Sequence, residues 1–384
     1  MLRKYINPEE FKVAGEIPLL FKLRLKQLFK KKPAVKGKVL IIDTCIIGDF
    51  TATLPALRLF IQSTNKEVDL VVSPPLKLIA QSIKGVHAVY TANSIYKRII
   101  ETEPEQTNLP REYESVLVLR ISPHAYELLK NVQYSNIVTY DIILLKYFAH
   151  LLWKISLKKP VRQWREVNFE IVGIAEPEKR VGFDDIFNLG PAEYNQAIEL
   201  LDITQNKKRV IIHPGSGWHV KLWGNEKWIE TIKKINEIGE FDFIFVGRGE
   251  QEAKAFEYIQ QHVDFRLHSL INQVDLKTTL LVMRLSDYFI GIDSGPRNMA
   301  HLADLRSITL LGPAPKNFMP VNNADVVIDK FTCRCKSLFY FHNVSAIHKI
   351  SADEVVDGFK KLSPSSHLSI RKALTLQHSQ TEID

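Results

Sequence analysis

The chain has 384 residues, 45% of them hydrophobic and 24% charged, with 51 Lys and Arg against 43 Asp and Glu. That balance suits a globular protein long enough for two or three cores and excludes a disordered chain. Three cysteines make no disulfide framework, and no apolar run is long enough to span a bilayer.

The charge sits at one end. Residues 1–36 hold ten cations and three anions, while the rest of the chain is almost neutral. A nucleic-acid binder carries its basic surface on the folded body, so no nucleic-acid partner is expected. Within this leader, Phe21-Lys-Leu-Arg-Leu-Lys-Gln-Leu-Phe-Lys-Lys-Lys32 interleaves apolar and basic residues. Wound as a helix, Leu20, Phe21, Leu25, Leu28 and Phe29 share about half the circumference, with Lys22, Lys26 and Lys30 opposite. The pattern predicts an interfacial helix on an anionic membrane surface; the alternative is a solvated extension packed loosely on the body. It has neither the uninterrupted apolar run nor the cleavage site of a secretory signal.

Lys38–Asp43, Val68–Val72 and residues 114–119 then read as buried strands, with helices between them that include 50–63 and 123–131. Residues 141–157 read as a core or interface helix, because Lys146, His150 and Lys154 interrupt its apolar face. Periodicity fades over 158–190, where Pro160, Pro177, Gly190 and Pro191 predict a linker. It restarts with strands at 209–212, 241–246, 287–292 and 307–311. Helices follow at 225–238, 250–262, 275–285, from near Pro296, and at 353–361. The alternation predicts an α/β chain of two doubly wound, Rossmann-like domains facing a cleft, with ligands at the carboxyl ends of the strands. The expected divisions are a leader at 1–36, a first domain at 37–160, a linker at 161–190, a second domain at 191–350, and a helix and tail at 351–384.

Four motifs fall at such strand ends. After the first strand, Gly48 allows a sharp turn or the close approach of a ligand, and Asp49 begins a helix, either as its N-cap or as a general base for a sugar hydroxyl. In His213-Pro-Gly-Ser-Gly-Trp-His-Val-Lys-Leu-Trp223, the flexible Gly215 and Gly217, the Ser216 hydroxyl and the Lys221 cation suit a phosphate. The alternative there is a turn anchored by Trp218 and Trp223. In Gly291-Ile-Asp-Ser-Gly-Pro296, Ser294 is a helix cap. The Asp293–Gly295 turn either holds an anion and a sugar hydroxyl or simply starts the helix well. In Val246-Gly-Arg-Gly-Glu250, Glu250 either meets ribose hydroxyls or favours the helix dipole. No hydrolase elbow, zincin motif or Asp-x-Asp pair is present, and Cys333-Arg-Cys335 with His342 and His348 is a poor match to zinc spacing, so no metal is expected.

Together, Lys38–Ile42, Ile47-Gly-Asp49, Leu54-Pro-Ala-Leu57, Val68–Ser73, His213-Pro-Gly215, Lys221-Leu-Trp223, Gly291–Pro296 and Leu311-Gly-Pro313 resemble the bacterial family 9 glycosyltransferases, the ADP-heptose:lipopolysaccharide heptosyltransferases. The likeness runs from about residue 38 to about 361. It implies a GT-B fold, with an acceptor-binding N-terminal domain and a nucleotide-sugar-binding C-terminal domain. It implies an inverting transfer of heptose from ADP-heptose to the inner core on a lipid A acceptor, without a cofactor.

In that likeness Asp49 matches the base, Lys221 the cation that neutralises the leaving diphosphate, and Asp293, Ser294 and Gly295 the donor-binding turn. Glu250 looks like the ribose-binding acid. Asn298 stands where the family usually has His, and the leader is additional to the family's usual start. The expected setting is cytoplasmic and peripheral on the inner membrane. Competing readings are a relative using another nucleotide-sugar or a protein acceptor, and a non-catalytic nucleotide-sugar-binding protein.

Overall fold

The β-branched runs of this chain fold, in a computed structural model, into two parallel sheets, each in its own unit. The structure describes residues 18–23, 25, 28, 35–94, 109–139, 164–201, 207–313, 325–330 and 345–362. The helix expected at 141–157, and Cys333, Cys335 and His342, lie outside them. The first unit runs to Asn188 and the second begins at Leu189.

In the first unit, β1 (Lys38–Asp43), β2 (Glu67–Val72), β3 (Val86–Thr91), β4 (Glu112–Arg120) and β5 (Gln133–Thr139) lie in the order β3-β2-β1-β4-β5. In the second, β6 (Lys208–His213), β7 (Phe241–Phe245), β8 (His268–Ser269), β9 (Tyr288–Ile292), β10 (Arg306–Leu311) and β11 (Val326–Asp329) lie in the order β11-β10-β9-β6-β7-β8. All described ladders within the two sheets are parallel. Both orders reverse direction beside the unit's first strand, as in doubly wound nucleotide-binding sheets.

The central strands are apolar on both faces: β9 is buried along its whole length. The strands that the sequence does not reveal are β3, β5, β8 and β11, which are the four sheet edges. An edge strand is half covered or very short, so it lacks the continuous apolar run that announces a central strand.

The expected linker contains structure. Helix α1 (Ile47–Ser63) follows β1, and α2 (Trp164–Val172) packs on it, burying Phe169 and Ile171. The buried Asn168 amide donates to Thr53 Oγ1 at 3.0 Å. A true linker has no reason to bury such a face, so these residues extend the first unit to Asn188.

The last described helix likewise belongs to a core. Helix α7 (Ala352–Lys361) buries Val355, Val356 and Phe359, and the Phe359 ring lies 4.8 Å from Tyr288 and 5.2 Å from Phe241. Ser351 and Glu354 form a capping box at its start. Trp223 is a packing anchor: it is buried edge-to-face on Trp228 and donates from Nε1 to the Ile350 carbonyl at 3.0 Å.

The leader residues 18–23, 25 and 28 are helical. Leu20 and Leu23 are fully buried, and the Tyr134 hydroxyl on β5 donates to the Leu23 carbonyl at 3.3 Å. Leu20 therefore leaves the single apolar face expected from the sequence, and Phe29 lies outside the described residues. Among the described residues no helix is long and apolar enough to cross a membrane.

Candidate functional site

Each sheet reverses its order at one place, and side chains at the carboxyl ends of the two flanking strands gather there. In the first sheet that place is between β1 and β4. The ladder opposes Asp43 to Arg120 after a register shift, and Arg120 ends β4. Its Nη2 donates to Asp49 Oδ2 at 3.0 Å.

Asp49 occupies the first turn of α1 and is not its cap; the cap position is Ile46. Gly48 lies in the same turn with helical backbone, so the expected sharp turn is absent. Arg120 is almost buried while Asp49 is partly open, so the ion pair presents a carboxylate to solvent from a fixed cation. Burial pushes the Asp43 carboxyl up, against the pull of Arg120. Burial, reinforced by the Asp43 charge, also pushes the Cys45 thiol well up, so Cys45 stays a thiol and is no nucleophile. Arg120 was not among the residues that the sequence singled out. Its signal is a cation closing an apolar run at the end of a central strand.

In the second sheet the place is between β6 and β9. β9 approaches β6 closely: a Cβ on Gly291 would lie 2.6 Å from the Phe289 ring and 3.1 Å from the His213 carbonyl. The loop after β6 brings Lys221 onto the end of β9. Its Nζ donates to Asp293 Oδ2 at 2.7 Å and to the Asp293 carbonyl at 3.2 Å. Gly312, after β10, makes room for the lysine stem: a Cβ there would lie 3.2 Å from Lys221 Cγ. Trp218 is half-buried, with Lys221 Nζ 5.9 Å from its ring centre.

Ser294 is at the cap position of helix α6 (Gly295–Leu302), yet its hydroxyl donates back to the Ile292 carbonyl at 3.0 Å and makes no cap bond. The expected cap is thus missing, and the first N–H groups of α6 are not satisfied by a cap side chain. Arg297 lies fully buried one turn in, donating to Thr309 Oγ1 at 3.0 Å, with the Asp325 carboxylate at 3.8 Å. Asn298 follows it on α6.

Ser216 is buried and its Oγ accepts from the Trp218 N–H at 3.1 Å, while Gly217 is exposed in the same loop. His213 is buried, and burial pushes its imidazole down to about 4, so the ring is neutral at physiological pH.

The two acids that open the helix after β7 differ in their settings. Glu250, the first residue of helix α5 (Glu250–Gln261), is 80% exposed and pairs with Lys254 at 2.5 Å. Glu252 instead packs into the glycine turns. A Cβ on Gly215 would lie 2.3 Å from its Oε1, one on Gly247 2.9 Å from its Cγ, and one on Gly249 3.1 Å from its Oε2. Gly247 and Gly249 have φ of 152° and 124°, so the turn also needs glycine for its backbone. Burial raises the Glu252 carboxyl. The missed signal is the helical spacing: two residues into α5 the chain turns back toward the sheet.

The chain is similar to several known proteins. The lipopolysaccharide heptosyltransferase 1 of Campylobacter coli is 24% identical over 302 residues, 72% of this chain and 84% of that protein. A family 9 glycosyltransferase from Veillonella parvula superposes with a TM-score of 0.65 at 13% identity, over 84% of this chain and 96% of that one. The Escherichia coli ADP-heptose LPS heptosyltransferase II superposes at 0.62 and 13% identity, over 89% and 99%. These likenesses give the GT-B fold class, consistent with the two Rossmann-like units. A family model described as glycosyltransferase family 9 (heptosyltransferase) matches residues 141–341, more than half of the chain, and so the protein that sets Lys221 on Asp293 in this way belongs to that family of glycosyltransferases.

Proposed function

We propose that this glycosyltransferase moves heptose from ADP-heptose to the inner core of lipopolysaccharide, with inversion, as a peripheral enzyme on the cytoplasmic side of the inner membrane. The observation that carries the reading is the Lys221–Asp293 pair beside the start of α6. A cation and N–H groups without a cap side chain are what a leaving diphosphate needs. The sugar and the acceptor are suggested by relatives named for ADP-heptose and lipopolysaccharide.

In this reaction an acceptor hydroxyl oxygen attacks the anomeric carbon while Asp49 takes its proton. The bond from that carbon to the diphosphate oxygen breaks, and its electron pair leaves with ADP. Lys221 exchanges its Asp293 partner for a phosphate oxygen, and Asp293, Ser294 and Gly295 seat the donor. Ser216 and Gly217 line the phosphate loop, and Glu252, in place of Glu250, meets the ribose hydroxyls. Arg120 holds the Asp49 carboxylate in one orientation.

The test is product mass. Purified protein with truncated lipid A–core acceptors and ADP-heptose is expected to add one heptosyl unit. Turnover with a UDP-sugar and none with ADP-heptose overturns the heptose assignment. That outcome would favour the second reading, another nucleotide-sugar, to which Asn298 points because it replaces the family's usual His.

A further inference from the structure

Among the described residues, the exposed large apolar side chains are Phe21, Leu25, Leu28, Leu78, Ile238 and Tyr258. Half of them fall in one stretch of the leader helix. Phe21, Leu25 and Leu28 are 60%, 42% and 76% exposed, at spacings of four and three, so they form one stripe. The helix spends another face on the body, where Leu20 and Leu23 are fully buried and the Leu23 carbonyl accepts from Tyr134. It is therefore apolar on two sides. One is covered by the unit that carries Asp49, and the other is open. A merely solvated extension explains the covered side and leaves the open one without a reason.

Charge says what covers it. Residues 17–36 contain seven cations and no anion, and Lys22, beside the stripe, is exposed. We propose that the Phe21–Leu25–Leu28 stripe seats this chain on an anionic lipid bilayer. The three side chains enter the boundary between headgroups and acyl chains, and the exposed Lys22, with the net positive charge of this stretch of sequence, favours anionic headgroups. A second copy of the chain is the poorer occupant, because it would bring one basic leader against another. Since Leu20 and Leu23 anchor the helix, the membrane holds the Asp49 unit itself and not a tethered tail. The inference deepens, and rests on, the reading of a peripheral enzyme with a lipid-borne acceptor.

The test uses the full chain and flotation with vesicles of phosphatidylcholine alone or mixed with phosphatidylglycerol. Binding to the mixed vesicles is expected, weakening as salt rises. The triple variant Phe21→Ser, Leu25→Ser, Leu28→Ser removes only exposed side chains, so the unfolding midpoint is expected to hold while partitioning falls about tenfold or more. Leu28→Ser alone is expected to give a smaller loss in the same direction. Turnover of a water-soluble acceptor is expected to stay unchanged in the triple variant, and turnover of a vesicle-embedded one to fall.

The proposal is overturned if the wild-type chain ignores anionic vesicles, if the triple variant floats as well as wild type, or if neutral vesicles bind equally. It is also overturned if the variant abolishes self-association in sedimentation and leaves vesicle binding intact. Vesicle binding without heptosyl transfer would sink the proposed reaction and leave this surface standing. Transfer without vesicle binding would do the reverse.

Discussion

The two sheets reverse strand order in the same way, yet their reversal points carry opposite chemistry. Beside β1 and β4 the groups are acidic side chains around one arginine: Asp43 and Asp49 with Arg120. Beside β6 and β9 they are glycines, a neutral imidazole, the Lys221–Asp293 pair and a helix start without a cap side chain. The scaffold alone therefore decides little about binding. A hydroxyl that must lose a proton needs a carboxylate fixed in one orientation. A diphosphate needs backbone N–H groups at close approach, and glycine permits that approach. In the proposed reaction, the contrast corresponds to proton removal in the first unit and charge neutralisation in the second.

The strongest way to break that contrast is Asp49→Asn. If the first unit supplies the base, kcat is expected to fall by roughly 10²–10⁴, with the donor KM little changed. An unaltered kcat in a steady-state transferase assay removes Asp49 from the chemistry. Lys221→Met should follow, with kcat lower by roughly 10²–10³, because a charge aimed at the leaving group acts mainly in the transition state. A rise in donor KM with kcat intact would recast Lys221 as a ground-state binding residue.

Much of the contrast was legible in the sequence, and the part that was not has a consistent cause. Central strands and their following turns announce themselves, because a strand buried on both faces must be apolar and a turn at its end must be glycine-rich. So the strand ends that carry Asp49, Lys221 and Asp293 could be located from one dimension. Edge strands carry no such signal, and all four were missed. Pairing across the sheet is equally silent. Arg120 meets Asp49 only because β4 lies beside β1, 71 residues apart in sequence. Proline and glycine between 158 and 190 suggested a linker, but the buried Asn168, Phe169 and Ile171 outweigh that punctuation.

A smaller effect tests the apolar setting of the second reversal point. His213 is pushed from the ordinary 6.5 down to about 4 by burial. Between those values the unfolded chain binds a proton that the folded chain does not, so stability rises with pH through this window and is lost as pH falls from 6.5 toward 4. The His213 contribution between pH 7 and pH 5 should be about 2 kcal/mol. Urea unfolding at the two pH values, compared with His213→Gln, should show that part of the pH dependence gone in the variant. An equal pH dependence in both proteins would mean that His213 is hydrated and titrates normally.

The finest test lies two residues apart on one helix. Glu250 and Glu252 both open α5, and sequence alone favours the first because it sits at the helix start. The structure leaves Glu250 in solvent with Lys254 and sets Glu252 against Gly215, Gly247 and Gly249. If the second unit reads the nucleotide through that carboxylate, Glu252→Gln should raise the donor KM about tenfold, the loss of one charge-assisted hydrogen bond, with kcat nearly kept. Glu250→Gln should leave both constants alone, since an exposed pair with Lys254 is worth little. The reverse ranking, in donor titrations by calorimetry as well as in kinetics, would return the ribose contact to Glu250. The glycine turns would then serve only to close the loop around a half-buried acid.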